Sequence, residues 1–188
     1  SHTEQLFRAF YQLGCIYNEQ GLLNDAAVAL SQAETLVERI NDDYRAGLLY
    51  SQFGDVFFYS FDFYRAEHYY RLANAKYDSA GMDQHKEHAL YDVAGCLIEQ
   101  KQYETAHSIL MEVQDWASSN NERYFMCSCL LSRLMCSMRS QDVDMASEEL
   151  NEYVSIYQQP IESAREFSLL AEYFLFAGKQ SEAVRNIE

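Results

Sequence analysis

Proline, glycine and positive charge are scarce in this chain. One proline and seven glycines among 188 residues argue against an all-β fold, which needs turn residues at frequent intervals. Fourteen Lys and Arg stand against 29 Asp and Glu, a formal net charge of −15. Nucleic acid and anionic lipid are bound through an excess of Lys and Arg, so neither is expected as a direct partner of this region. The acidity has two readings: a solvated face that keeps the protein dispersed, or attraction of a basic partner. No signal peptide is evident, and no apolar run is long enough to span a membrane. The five cysteines, Cys15, Cys96, Cys127, Cys129 and Cys136, form no Cys-x-x-Cys pair, and several fall at apolar helical positions, where a thiol packs as a small hydrophobe. A reducing, cytoplasmic setting is expected.

Catalytic signatures are missing as well. No glycine-rich phosphate loop, Ser/His/Asp arrangement or paired carboxylates stand out, so neither an enzyme nor a cofactor is expected. His85-x-x-His88, with Asp83 nearby, shares one helix face but has no third ligand at a suitable spacing. It reads as surface histidines, and Cys129 and Cys136, seven apart on a helix, read as packing; no metal is expected.

What the chain does have is a motif repeated every forty residues. It runs Leu13-Gly14-x-x-Tyr17-x-x-x-Gly21-x-x-x-x-Ala26-x-x-x-Leu30-x-x-Ala33. It returns from Phe53-Gly54 through Phe57, Ala66 and Tyr70 to Ala73, and again from Val93-Ala94 through Leu97, Ala106 and Leu110 to Val113. Such a period means stacked supersecondary units, each unable to bury its apolar face alone. Leu6, Phe10, Leu13 and Tyr17 mark one stripe of a helix. Gly21 ends it, Asn24 or Asp25 is a candidate cap for the next, and Asp142 caps a later one. Helices are expected at about 3–20, 24–39, 43–60, 62–79, 83–100, 102–118, 122–139 and 142–158. In the fourth repeat helix B keeps phase through Ala146, Leu150 and Tyr153. Helix A reads about two residues out of phase, because Leu131, Met135 and Met138 fit the stripe better than Arg133. Pro160 suits the first turn of a further unit, Leu170-Ala171-x-x-Phe174-x-x-x-Gly178 to Ile187. The helical pattern runs to Glu188 uncapped, as in part of a longer protein. Small residues at Gly14, Gly54 and Ala94 are expected to face Ala26, Ala66 and Ala106.

These residues resemble the tetratricopeptide repeat (TPR), with its Leu-Gly-x-x-Tyr core in helix A and its small and aromatic positions in helix B. The resemblance covers nearly the whole chain. It implies an all-α, right-handed superhelical solenoid of antiparallel helix pairs. One array would span 1–188, with repeats at about 3–41, 42–81, 82–120, 121–159 and a truncated 160–188. The usual repeat is about 34 residues; the excess is expected to lengthen the helices and the links near Asn41–Asp43, Gly81–Gln84 and Asn120–Glu122. The proline that commonly ends helix B is missing. Repeats of this length are similar to those of bacterial transcriptional and signalling regulators and also to those of eukaryotic scaffold proteins. The style of the sequence leans to the former, although no motif separates the two.

The resemblance also implies a concave groove lined by helix A. It would hold Arg8, Tyr11, Cys15 and Asn18, then Leu48, Ser51, Asp55 and Phe58, with Tyr59 beside them. His88, Tyr91, Gly95 and Ile98 follow, then Arg133 from the fourth repeat and Arg165, Ser168, Glu172 and Leu175 from the fifth. The basic clamp that grips chaperone tails is not carried: Tyr11, Cys15, Gln52, His88 and Asp92 fill its positions. The expected function is a non-catalytic module that binds a protein or peptide of basic and apolar character, as the sensor or regulatory part of a longer protein. The alternative is a structural scaffold that oligomerises through its C-terminal end. Fifteen tyrosines, many in the second repeat, serve either an interface or helix packing.

Overall fold

The computed structural model describes residues 2–156 together with 168, 172, 173, 175, 176 and 178. Among these residues there are eight helices and no strand: α1 (His2–Glu19), α2 (Leu23–Ile40), α3 (Asp43–Tyr59), α4 (Phe63–Ser79), α5 (Asp83–Glu99), α6 (Tyr103–Ser119), α7 (Arg123–Arg139) and α8 (Val143–Ile156). The chain forms two compact units, residues 1–101 and 102–188. In the first, α1 packs on α2, α3 on α4 and α4 on α5; in the second, α7 packs on both α6 and α8.

The punctuation falls every twenty residues, twice per repeat. Gly21, Asn41, Phe61, Gly81, Lys101, Asn121 and Gln141 all adopt positive φ, between 53° and 73°. At most of these turns the residue after the left-handed one donates its N–H to the carbonyl five positions back, as Leu22 does to Tyr17, Asp62 to Phe57 and Asp142 to Ser137. This is the Schellman closure of a helix C-terminus. The same short turn joins helices within and between repeats, so the extra length lies in the helices and the links are not extended. Asp42, Asp62 and Asp142 cap the following helices by accepting the N–H of Arg45, Arg65 and Met145. Neither Asn24 nor Asp25 caps α2, which begins at Leu23 after a Leu22 that makes no side-chain cap.

The small-residue rule holds, with a different neighbour. A Cβ at Gly14 would lie 2.5 Å from Leu30, and one at Gly54 would lie 2.4 Å from the Tyr70 ring. The glycines therefore admit the large B-helix side chain four residues after the alanine, while Ala26 and Ala66 are themselves fully buried.

The fourth repeat is in phase, contrary to the expectation from its stripe. Helix α7 starts and ends forty residues after α5. Cys127, Cys129, Leu134, Cys136, Ser137 and Met138 are buried where Glu87, Ala89, Ala94, Cys96, Leu97 and Ile98 are buried in α5. The apparent slip came from one residue, Arg133, which sits at the apolar place of Leu13, Phe53 and Val93. Pro160 and most of the fifth motif lie outside the described residues; Gly178 has the expected positive φ of 75°.

Candidate partner-binding pockets

In the first unit the A helices α1 and α3 run side by side and frame two open pockets. The larger, of about 630 Å³, is lined by Cys15, Asn18, Glu19, Gly21 and Leu23 on one side and Gln52, Asp55 and Tyr59 on the other. The smaller, of about 390 Å³, gathers Glu4, Phe7, Arg8, Tyr11 and Gln12 with Asp42, Tyr44, Arg45 and Leu48. The groove residues inferred from the repeat pattern are thus brought together in two sets: Arg8, Tyr11 and Leu48 at one end, Cys15, Asn18, Asp55 and Tyr59 at the other.

The larger pocket is held in shape by its polar groups. The Tyr70 hydroxyl donates to Asp55 Oδ1 at 2.7 Å, and the Gln52 amide donates to Asp55 Oδ2 at 2.9 Å. Burial nevertheless pushes the Asp55 carboxyl above its ordinary value, against the pull of those two bonds. On α5, burial and then the Asp55 charge push Asp92 up to about 8. No basic group contributes to either shift. Burial also raises the Tyr11 phenol and the Cys15 thiol. Asn18 Oδ1 is buried and has no hydrogen-bond partner.

Phe58 is half-buried at the C-terminal end of α3, facing the place where Gly95 of α5 lacks a side chain. Its ring meets Tyr59 and Phe63 edge to face, at centroid distances of 6.1 and 5.4 Å. On α5, His88 is exposed and Tyr91 half-buried, while Ile98 is buried in the core and offers no surface. Ser51 lies within hydrogen-bond distance of the Tyr77 hydroxyl, at 3.2 Å. His85 packs on the Tyr44 and Tyr77 rings. No group of three His, Cys, Asp or Glu among the described residues is placed to hold a metal ion.

In the second unit Arg133 is engaged internally. Its Nε lies 3.3 Å from Glu149 Oε1, and its Nη1 donates to Gln114 Oε1 at 2.5 Å. Glu149 is 2% exposed and accepts from the Ser137 hydroxyl at 2.6 Å, with His107 Nε2 2.5 Å away. An open pocket of about 400 Å³ beside this network is lined by His107, Ser137 and Asp142 among others. Ser168, Glu172 and Leu175 are exposed, and Arg165 lies outside the described residues.

The sequence reading gave no site role to Glu19, Tyr70, His107 and Glu149, and took Gln52 and Asp92 only as departures from the basic clamp. One signal was available: Gln12, Gln52 and Asp92 recur at forty-residue spacing, each directly before the motif pair Leu13-Gly14, Phe53-Gly54 or Val93-Ala94. Glu149 offered another, an acid where the first three repeats place Ala29, Tyr69 and Ile109.

Paired antiparallel helices, with pockets between successive A helices, define a tetratricopeptide-like helical repeat protein. The model of the soluble NSF attachment protein family, SNAP, matches residues 9–183. The chain belongs to that family. No curated protein sequence matches it significantly. Among solved structures, aspartyl phosphate phosphatase F from Bacillus subtilis superposes with a TM-score of 0.85 at 15% identity, covering 100% of this chain and 49% of that protein. The apo form of RapI gives 0.84 at 16% identity, covering 96% of this chain and 67% of its own. A Podosopora anserina protein with nearly identical TPR-like repeats, described as a kinesin light chain, gives 0.78 at 15%, with 100% and 93% covered. At these identities the likeness establishes the fold. This chain spans about half of the phosphatase and two thirds of RapI. No helix among the described residues is long and apolar enough to cross a membrane.

Proposed function

We propose that this chain is a non-catalytic, cytoplasmic polypeptide-binding module, the sensor or regulatory part of a longer protein, and that it grips its partner on the A-helix face of its first unit. The observation that carries the reading is the pair of open pockets between α1 and α3, which collects Arg8, Tyr11, Cys15, Asn18, Asp55 and Tyr59. Mixed aromatic, acidic and amide linings suit an extended or helical segment with apolar anchors. The family's name, an attachment protein, supports an adaptor role. Phe58, His88 and Tyr91 extend the face along α3 and α5. Glu172 and Arg165 are further candidates in the second unit; Arg133 is not, because its guanidinium is occupied.

The test is binding to an array of immobilised mixed-sequence dodecapeptides. Phe58→Ala and Arg8→Glu are each expected to weaken the retained binders at least tenfold while leaving the helical content of the folded protein unchanged. Binders whose affinity survives both substitutions would move the binding face elsewhere. An array with no binder, together with a concentration-dependent mass in sedimentation, would favour a scaffold that associates with copies of itself.

A further inference from the structure

The larger pocket and the turn beside it have a chemistry that the general reading leaves unused. Every side chain that lines the pocket is acidic, amide, aromatic, thiol or apolar; none is basic. Glu19 and Asp55 supply carboxylates, and each Asp55 oxygen keeps a lone pair beyond the one taken by Tyr70 or Gln52. Asn18 adds a buried carbonyl oxygen that nothing satisfies. At the rim stands Tyr59, 61% exposed, whose ring leads through Phe58 and Phe63 to Phe61. Phe61 is anomalous twice. It takes the left-handed turn position with φ 60°, where the other turns carry Gly, Asn, Lys or Gln, and it is 80% exposed. A bulky residue at positive φ is disfavoured in the backbone, and an exposed ring gains nothing from the folded core. An aromatic that contributes so little to the fold fits a role in contact with a partner.

We propose that this pocket receives the guanidinium of an arginine on a partner polypeptide, and that the aromatic turn covers the apolar residue beside it. The proposal rests on the reading that this face binds a polypeptide. Charge complementarity selects the occupant: an acidic pocket in a chain of net charge −15. Arginine fits better than lysine because its planar fork matches carboxylate and amide acceptors and stacks on a tyrosine face.

The experiment uses the whole chain and pools of octapeptides in which one fixed residue is arginine, citrulline, lysine or glutamate and the rest are mixed. Citrulline keeps the shape of arginine and removes its charge. Arginine pools are expected to bind at least tenfold more tightly than citrulline pools and at least threefold more tightly than lysine pools. Asp55→Asn should bring the arginine-to-citrulline ratio below twofold. Glu19→Gln, on an exposed side chain, should lower it at least threefold, and it serves as the test if Asp55→Asn melts early. Phe61→Gly should weaken binding at least threefold while raising the melting temperature, since glycine adopts the turn without strain. Pools that bind without preferring arginine to citrulline or lysine overturn the arginine assignment and leave the binding face standing. A preference unchanged by the Asp55 and Glu19 substitutions does the same. No binding by any pool overturns the reading beneath it.

Discussion

Phe53 and Tyr69 in the first unit hold the same two repeat positions as Arg133 and Glu149 in the second, eighty residues on. In the first unit the two rings stack at 4.8 Å, and Tyr69 stacks again on Phe57 at 5.3 Å. In the second an ion pair of 3.3 Å takes their place, with Ser137 and His107 completing the carboxylate's surroundings. The helices that carry the two pairs keep the same register, so the repeat backbone accepts either solution. The energetics differ. An aromatic pair adds about 0.5–1.5 kcal/mol beyond its burial and loses only its own share when one ring is changed. A buried ion pair is close to neutral as a whole, yet removing one partner costs about 3–5 kcal/mol, because a desolvated charge is left behind. The second unit should therefore be the more brittle of the two towards single substitutions at this place.

The sharpest way to break the comparison is Arg133→Leu. It should destabilise the protein by about 3–5 kcal/mol in urea unfolding, and Arg133→Leu with Glu149→Leu should recover most of that loss. Phe53→Leu at the equivalent position should cost only about 1 kcal/mol. Equal costs for the two single changes would mean that Glu149 is not a burdened charge. Next in size is Gly54→Ala. The added methyl would meet the Tyr70 ring at 2.4 Å, and that ring is tethered by its hydroxyl's bond to Asp55. A loss of about 1–3 kcal/mol is expected, and a neutral result would show that the ring is loosely held.

The same comparison explains what could be read from the sequence. Helix order, boundaries within one or two residues, and the turns at Gly21 and Gly81 were legible because apolar periodicity and left-handed glycines are local signals. The phase of the fourth repeat was misread because a hydrophobic stripe is blind to a charge that is buried with its partner; Arg133 scored as a surface residue. The twenty-residue beat of the turns was half hidden, since Phe61, Lys101 and Gln141 adopt the glycine conformation without the glycine. The pockets were legible only as a face. Which residues meet across α1 and α3 depends on helix packing, and Tyr70 reaches Asp55 from a B helix that the groove pattern ignores.

The smallest expected effect contrasts an acid without a counter-ion in the first unit with a paired acid in the second. Asp92 is faced by Asp55 on α3, Tyr70 and Tyr77 on α4 and Cys96 on its own helix, all of them neutral or acidic. Its carboxyl stands at about 8 in the folded protein against an ordinary 3.8. Between those values the folded state holds a proton that the unfolded chain has released, so this group's contribution to stability falls as pH rises through that window and is fully present below it. Asp92→Asn removes the charge and keeps the shape. It should stabilise the protein more at pH 8.5 than at pH 5, because pH 5 lies near the low end of that window, where most of the group's contribution is still present. Glu149 sits beside Arg133, so Glu149→Gln should destabilise at both pH values. Thermal melts of the two variants at pH 5 and pH 8.5 check this. A gain at pH 5 as large as at pH 8.5 would mean that the asparagine acts through packing and that Asp92 is an ordinary surface acid.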